Sequence, residues 1–161
     1  MRNNKGFSLV ELIIVIAIMA ILVGVMAPQL IKYIEKTNVS SDTQLCDTVK
    51  SAVTTAVMDP SVLNDTSSKS VIASGTGTWK AVKDLTGTSE FELAVQETLG
   101  MNSSSIGSIN DKIKSAKAAT SSIEFNIMGS NSVHVRIPYT DVNGKKDTSN
   151  ASDATKIIYV D

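Results

Sequence analysis

Side chains able to do chemistry are few in this 161-residue chain, and they are scattered: one histidine, His134, one cysteine, Cys46, and 16 acids against 15 lysines and arginines. Asp141, Asn143, Asp147 and Asp153 put four oxygen donors into one polar stretch, the ligand type that calcium takes. Their spacing is not that of an EF-hand, so a solvated loop is the preferred reading and calcium the alternative. His134 shares an alternating run with Arg136 and reads as a surface strand residue rather than a metal ligand or base. Cys46 has no partner for an intrachain disulfide and adjoins an apolar stripe, so it reads as a packed thiol. No acid–base pair, glycine-rich phosphate loop or ligand cluster stands out, so the chain is not expected to be an enzyme and no cofactor is implied. Net charge is −1 without a dense basic patch, which leaves direct nucleic-acid binding without support.

The acid that stands apart is Glu11. Phe7 to Ile31 is otherwise apolar and, at about 1.5 Å per residue, long enough to cross a hydrocarbon core of about 30 Å. A secretory signal peptide has an apolar region of about 7 to 15 residues and a small-residue cleavage site. This segment is longer and runs into Ala27-Pro28-Gln29, so it reads as a retained span. Arg2 and Lys5 precede it, which by the positive-inside rule keeps the short N-terminal end in the cytoplasm and places residues from about Lys32 onward outside. A carboxylate at the centre of such a span costs about 2.5 to 3.5 kcal/mol on insertion scales. Glu11 stands one turn in, where two readings are open: it reaches back to the headgroups, or another chain brings it a cation.

Lys5-Gly6-Phe7-Ser8-Leu9-Val10-Glu11-Leu12 resembles the processing and methylation motif of type IV prepilins and of the pseudopilins of type II secretion and competence systems. The resemblance implies that a prepilin peptidase cuts after Gly6 on the cytoplasmic face and methylates the new amine of Phe7. It implies that Glu11, fifth counted from Phe7, is the assembly residue. It implies a homo-oligomeric helical filament built by an inner-membrane assembly platform, with membrane lipids around the subunit beforehand. The physical logic stands without the family. A subunit displaced by about one turn would set its Phe7 amine against Glu11, and a desolvated pair selects register because any other register leaves a buried charge unpaired.

Pro28 removes a helix hydrogen bond and its ring opposes the carbonyl of Gly24, itself a poor helix former, so a kink or local melting is expected between them. The resemblance implies that this stretch can unwind in a filament. Helical character is expected to continue to Met58 along a stripe of Leu45, Val49, Ala52 and Ala56, broadened by Val53 and Val57, with Asp42, Asp47 and Lys50 off it. Asn38 to Asp42 is its weakest stretch, and Asp59-Pro60-Ser61 is its stop. The organisation is thus a leader, 1–6; a transmembrane and assembly helix, 7–31; the amphipathic half of that helix, 32–58; and an exported head, 59–161.

Within the head, Ser61 to Thr78 reads as a surface loop, and Trp79 as an anchor of that loop to the core. Ser89-Glu90-Phe91-Glu92 is a capping box that starts a short helix stopped by Gly100. Asn102 to Ser108 reads as loop and Ile109 to Ala119 as a further short helix. Ile123 to Ile127 and Val133 to Ile137 alternate on either side of Gly129-Ser130-Asn131 and form a hairpin, with Ile157 to Val160 as a third strand. Asp141 to Ala154, with Asn143-Gly144, is a polar loop. The fold class is α+β, type IV pilin-like, the long helix packing on a small antiparallel sheet. The expected function is that of a structural subunit, a prepilin held in the membrane and then polymerised into a surface filament for adhesion, motility or DNA uptake. A pseudopilin of secretion or competence is the alternative, and a membrane-tethered enzyme or sensor the competing class.

Overall fold

Aliphatic side chains carry no polar group to compete for backbone hydrogen bonds, and the N-terminal apolar run folds accordingly. In the computed structural model, which describes residues 8–115, 118, 121–128, 132–138 and 157–160, helix α1 runs Leu9–Met58 with Pro28 in its interior. The proline's missing N–H leaves a gap in the ladder without ending the helix. The expected weak stretch at Asn38 to Asp42 is helical as well. Threonines are poor helix formers, yet Thr37, Thr43, Thr48 and Thr55 each donate their hydroxyl to the carbonyl four residues back and so keep it from bonding elsewhere.

The chain forms two compact units, Met1–Thr37 and Asn38–Asp161. In the second, residues 38–58 of α1 bury Asp42, Cys46, Val49, Ala52, Val53, Ala56 and Val57, a stripe at helical spacing. These side chains share one core with Phe91, Val95, Phe125, Val135 and Ile137. The rings of Phe91 and Phe125 lie 6.2 Å apart at 45°, a favourable tilted pair.

Asp59-Pro60-Ser61 ends α1 and starts another helix. The Asp59 carboxylate accepts from the Ser61 N–H at 2.8 Å and Pro60 takes the first helical position, giving α2, Pro60–Asn64. Asp65 repeats the device, accepting from Ser67 and Ser68 N–H, and starts α3, Thr66–Gly75. The expected loop over Ser61 to Thr78 is therefore mostly helical, because two aspartates supply the caps that its serines and threonines alone would not. The buried Ser68 hydroxyl also accepts from the Phe91 N–H at 2.8 Å, tying α3 to the first turn of α4, Glu90–Thr98.

Helix α4 has the expected capping box: Ser89 and Glu92 satisfy each other's backbone N–H. Glu92 also accepts from the Gly87 N–H at 3.2 Å. A Cβ at Gly87 would stand 2.0 Å from the Glu92 carboxylate, so a larger residue there would have to push that carboxylate aside. The helix ends at Gly100, φ +65°, with Gly100 N–H bonded to Glu97 and Met101 N–H to Gln96, a Schellman motif. Among the described residues of the expected helix over Ile109 to Ala119, only Ile109 to Lys112 are helical, as part of a 3-10 helix, Ile106–Lys112, with Ile106 and Ile109 buried. It stops because the Lys114 and Ser115 N–H groups, which a helix would turn inward, are captured by the Asp42 carboxylate at 2.8 and 2.9 Å.

The sheet has the order β1-β2-β3-β4, with β1 Lys80–Ala81, β2 Glu124–Met128, β3 Ser132–Pro138 and β4 Ile157–Val160. All neighbours are antiparallel, so the expected hairpin and C-terminal strand are present, and the two-residue β1 adds an edge. Register pairs buried with buried: Phe125 opposite Val135, Ile127 opposite Val133, Ile137 opposite Ile158. The other face pairs Glu124 with Arg136 and Asn126 with His134.

Candidate assembly site

A helix apolar on every side must be covered by lipid or by other protein. Among Leu9 to Ile34 the large apolar side chains are 49–72% exposed, and α1 is long and apolar enough to cross a membrane. Its geometry therefore presents a continuous apolar surface with a single acid, Glu11, between Leu9 and Ile31.

That acid is held in place. The Ser8 N–H donates to Glu11 Oε2 at 2.9 Å, and the Ser8 carbonyl accepts the first helical bond, from Leu12 N–H at 3.3 Å. Glu11 is thus the third helical residue reaching back to the residue before the helix, one half of a capping box. Its charge also faces the positive end of the helix dipole. Two of the readings for Glu11 concern membrane and neighbour; the subunit itself adds a third, as an N-terminal cap. A carboxylate has about four acceptor directions, so one backbone N–H leaves capacity for a cation.

Gly24 and Pro28 lie within α1, and a Cβ at Gly24 would meet nothing within 4 Å. Packing inside the subunit therefore does not require glycine there. Gly6 and Phe7, the expected cleavage and methylation residues, lie outside the described residues, as do Asp141, Asn143, Asp147 and Asp153. Among the described residues no group of three or more His, Cys, Asp or Glu is placed to hold a metal ion.

In the unit Asn38–Asp161, three side chains differ from their expected settings. Asp42, expected off the apolar stripe, is fully buried, its two oxygens taken by the consecutive amides of Lys114 and Ser115. Trp79 lies outside the core, and the Arg136 guanidinium sits 4.0 Å from its ring centre. Arg136 is 9% exposed and pairs with Glu124 at 2.8 and 2.9 Å, so the strand face it shares with His134 is more covered than the alternation suggested. Cys46 is the packed thiol expected: burial pushes its pKa up to about 12, with nearby Asp42 and Asp47 adding to the rise. The missed features were partly legible, since Ser8-x-x-Glu11 has the same spacing as Ser89-x-x-Glu92. Nothing in the local sequence marks Asp42 as the partner of amides 72 and 73 residues away.

Residues 1–27 match the family model of the prokaryotic N-terminal methylation motif. No curated protein and no solved structure matches the chain. The long apolar helix and small antiparallel sheet make an α+β arrangement consistent with a pilin-like fold. Through its first 27 residues the chain carries the motif that is the hallmark of type IV pilins and pseudopilins.

Proposed function

We propose that the chain is the precursor of a structural subunit of a type IV pilus, cut after Gly6, N-methylated at Phe7 and polymerised through its apolar helix. Residues 1–6 are then the leader, 7–31 the membrane and assembly helix, 32–58 its amphipathic half and 59–161 the exported head. The subunit waits in the bilayer with its N-terminus in the cytoplasm, passes to an inner-membrane assembly platform, and ends in a homo-oligomeric surface filament. The reading is carried by one observation: an exposed apolar segment of α1, Leu9 to Ile31, whose single acid is fixed at its first turn, three residues from Ser8 and four from Phe7.

The mechanism follows from desolvation. In lipid a lone carboxylate is costly, and the cap from Ser8 lowers that cost without removing the charge. A neighbour offset by about one turn brings its Phe7 amine to the remaining acceptor positions, exchanging headgroup contact for an ion pair within packed helices. Extraction from the membrane and entry into the filament thus share one electrostatic step. Gly24 and Pro28 give the helix a place to unwind as subunits pack.

Mass spectrometry of the mature N-terminus tests this reading. N-methyl-Phe7 is the expected product, and an intact Met1 leader in cells expressing the peptidase would overturn it. Electron microscopy of sheared surface fibres separates pilus from pseudopilus: long fibres lost on deletion are expected, and fibres that persist would exclude this chain as their major subunit.

A further inference from the structure

Just beyond the apolar run, Gln29, Lys32, Tyr33 and Lys36 recur at i, i+3, i+4 and i+7, line one face of α1 and bound a shallow cleft of about 170 Å³. All four side chains are exposed. Glu35, the acid of this stretch, falls about 110° round the helix from the centre of that face at about 100° per residue. From Glu11 to Lys32 is 21 residues, about 32 Å of helix, which matches a hydrocarbon core of about 30 Å. When Glu11 stands at one interface, Lys32 therefore stands at the other, with Tyr33 and Lys36 in the headgroup layer.

We infer that this face is a binding site for the phosphodiester headgroup of an anionic phospholipid in the exported leaflet. Lys32 and Lys36, one turn apart, supply the charge; Gln29 and the Tyr33 hydroxyl supply hydrogen bonds, and the Tyr33 ring sits at the level where aromatic residues anchor spans. Exported flanks are ordinarily depleted of lysine and arginine, so two lysines on a single face call for an anionic partner. The inference rests on the membrane-spanning, processed reading above and extends it. Cutting after Gly6 removes Arg2 and Lys5, so the mature span keeps its lysine anchors on the exported side alone. Processing then leaves the subunit tethered toward the side on which it must leave.

The test is native mass spectrometry of the full chain in neutral detergent, titrated with phosphatidylglycerol against phosphatidylcholine. Two lysines at a charged lipid surface correspond to a preference of about thirtyfold. K32Q/K36Q is expected to lose most of it, whereas R2Q/K5Q, which alters the opposite flank, retains the part due to Lys32 and Lys36. A K32Q/K36Q preference within twofold of wild type overturns the site; if that variant also fails to form fibres, the lysines serve contact between subunits instead. Alkaline extraction of wild type from neutral vesicles is the control: a chain that washes off has refuted the membrane reading itself, and an inserted chain with an unaltered preference has refuted the headgroup site alone.

Discussion

Replacing Glu11 by glutamine or by alanine separates the helix cap that its carboxylate makes from the intersubunit pairing proposed for it. Glutamine keeps an oxygen for the Ser8 N–H, now 2.9 Å from Oε2, and loses the charge; alanine loses both. The cap bond is worth about 1 kcal/mol and the charge at the helix start about 0.3 to 1 kcal/mol. Within the subunit, then, E11Q stays within about 1 kcal/mol of wild type and E11A falls about 1 to 2 kcal/mol below it. Between subunits the two variants should be alike, because each leaves a neighbour's amine without its anion. Breaking a buried pair costs about 3 to 5 kcal/mol, or about two to three and a half orders of magnitude in the subunit concentration needed for polymerisation. The assay compares sheared surface filaments with the membrane pool by immunoblot, after mass spectrometry has established that processing at Gly6 is intact. Both variants should be processed, membrane-resident and nearly devoid of filaments. If E11Q assembles like wild type while E11A does not, Glu11 is a helix cap and the intersubunit ion pair is refuted.

Three further outcomes follow from the unit Asn38–Asp161. Asp42→Ala removes two charge-assisted hydrogen bonds of 2.8 and 2.9 Å, each worth about 1.5 kcal/mol; the urea midpoint, followed by Trp79 fluorescence, should drop by about 1.5 M at a slope of about 2 kcal/mol/M. A drop below about 0.2 M would mean that water replaces the carboxylate without cost. Asp59 and Asp65 are held below the ordinary value of 3.8, first by the hydroxyls of Ser61 and Ser68 and then by backbone N–H groups. A lowered folded pKa gives stability that is present above the unfolded value and lost as pH falls through the folded one, so helicity should be flat from about pH 7 to 5 and decline below about pH 4. D59N/D65N should abolish that step, and an unchanged profile would assign it to other acids. Cys46, with its thiol pushed up to about 12, should resist iodoacetamide at pH 8 in the folded chain and react fully in urea; equal rates in both states would contradict its burial.

What could be seen in the chain itself is what depends on near neighbours. The methylation motif, the membrane-length apolar run, the Ser89–Glu92 box with its Gly100 stop, the alternation of β2 and β3 and the apolar run of β4 are all patterns within one contiguous stretch of sequence, and each has the expected form or match. The departures are of two kinds. Asp59-Pro60 and Asp65 are local signals with two meanings, since a residue pair that stops one helix also caps the next, and only the buried Val62 and the Ser68 bond to Phe91 select the second. Asp42 and Arg136 belong to the other kind. A charged residue can be placed in or out of a core only once its partners are known, and those partners, the amides of Lys114 and Ser115 for one, Glu124 and the Trp79 ring for the other, come together only when segments far apart in the chain are folded. Sequence alone determined the membrane-length helix, its single acid and the family motif, because short-range pattern suffices for them. Tertiary structure decided where Asp42 and Arg136 lie, because burial of a charge is settled by desolvation against distant partners and not by its neighbours in sequence.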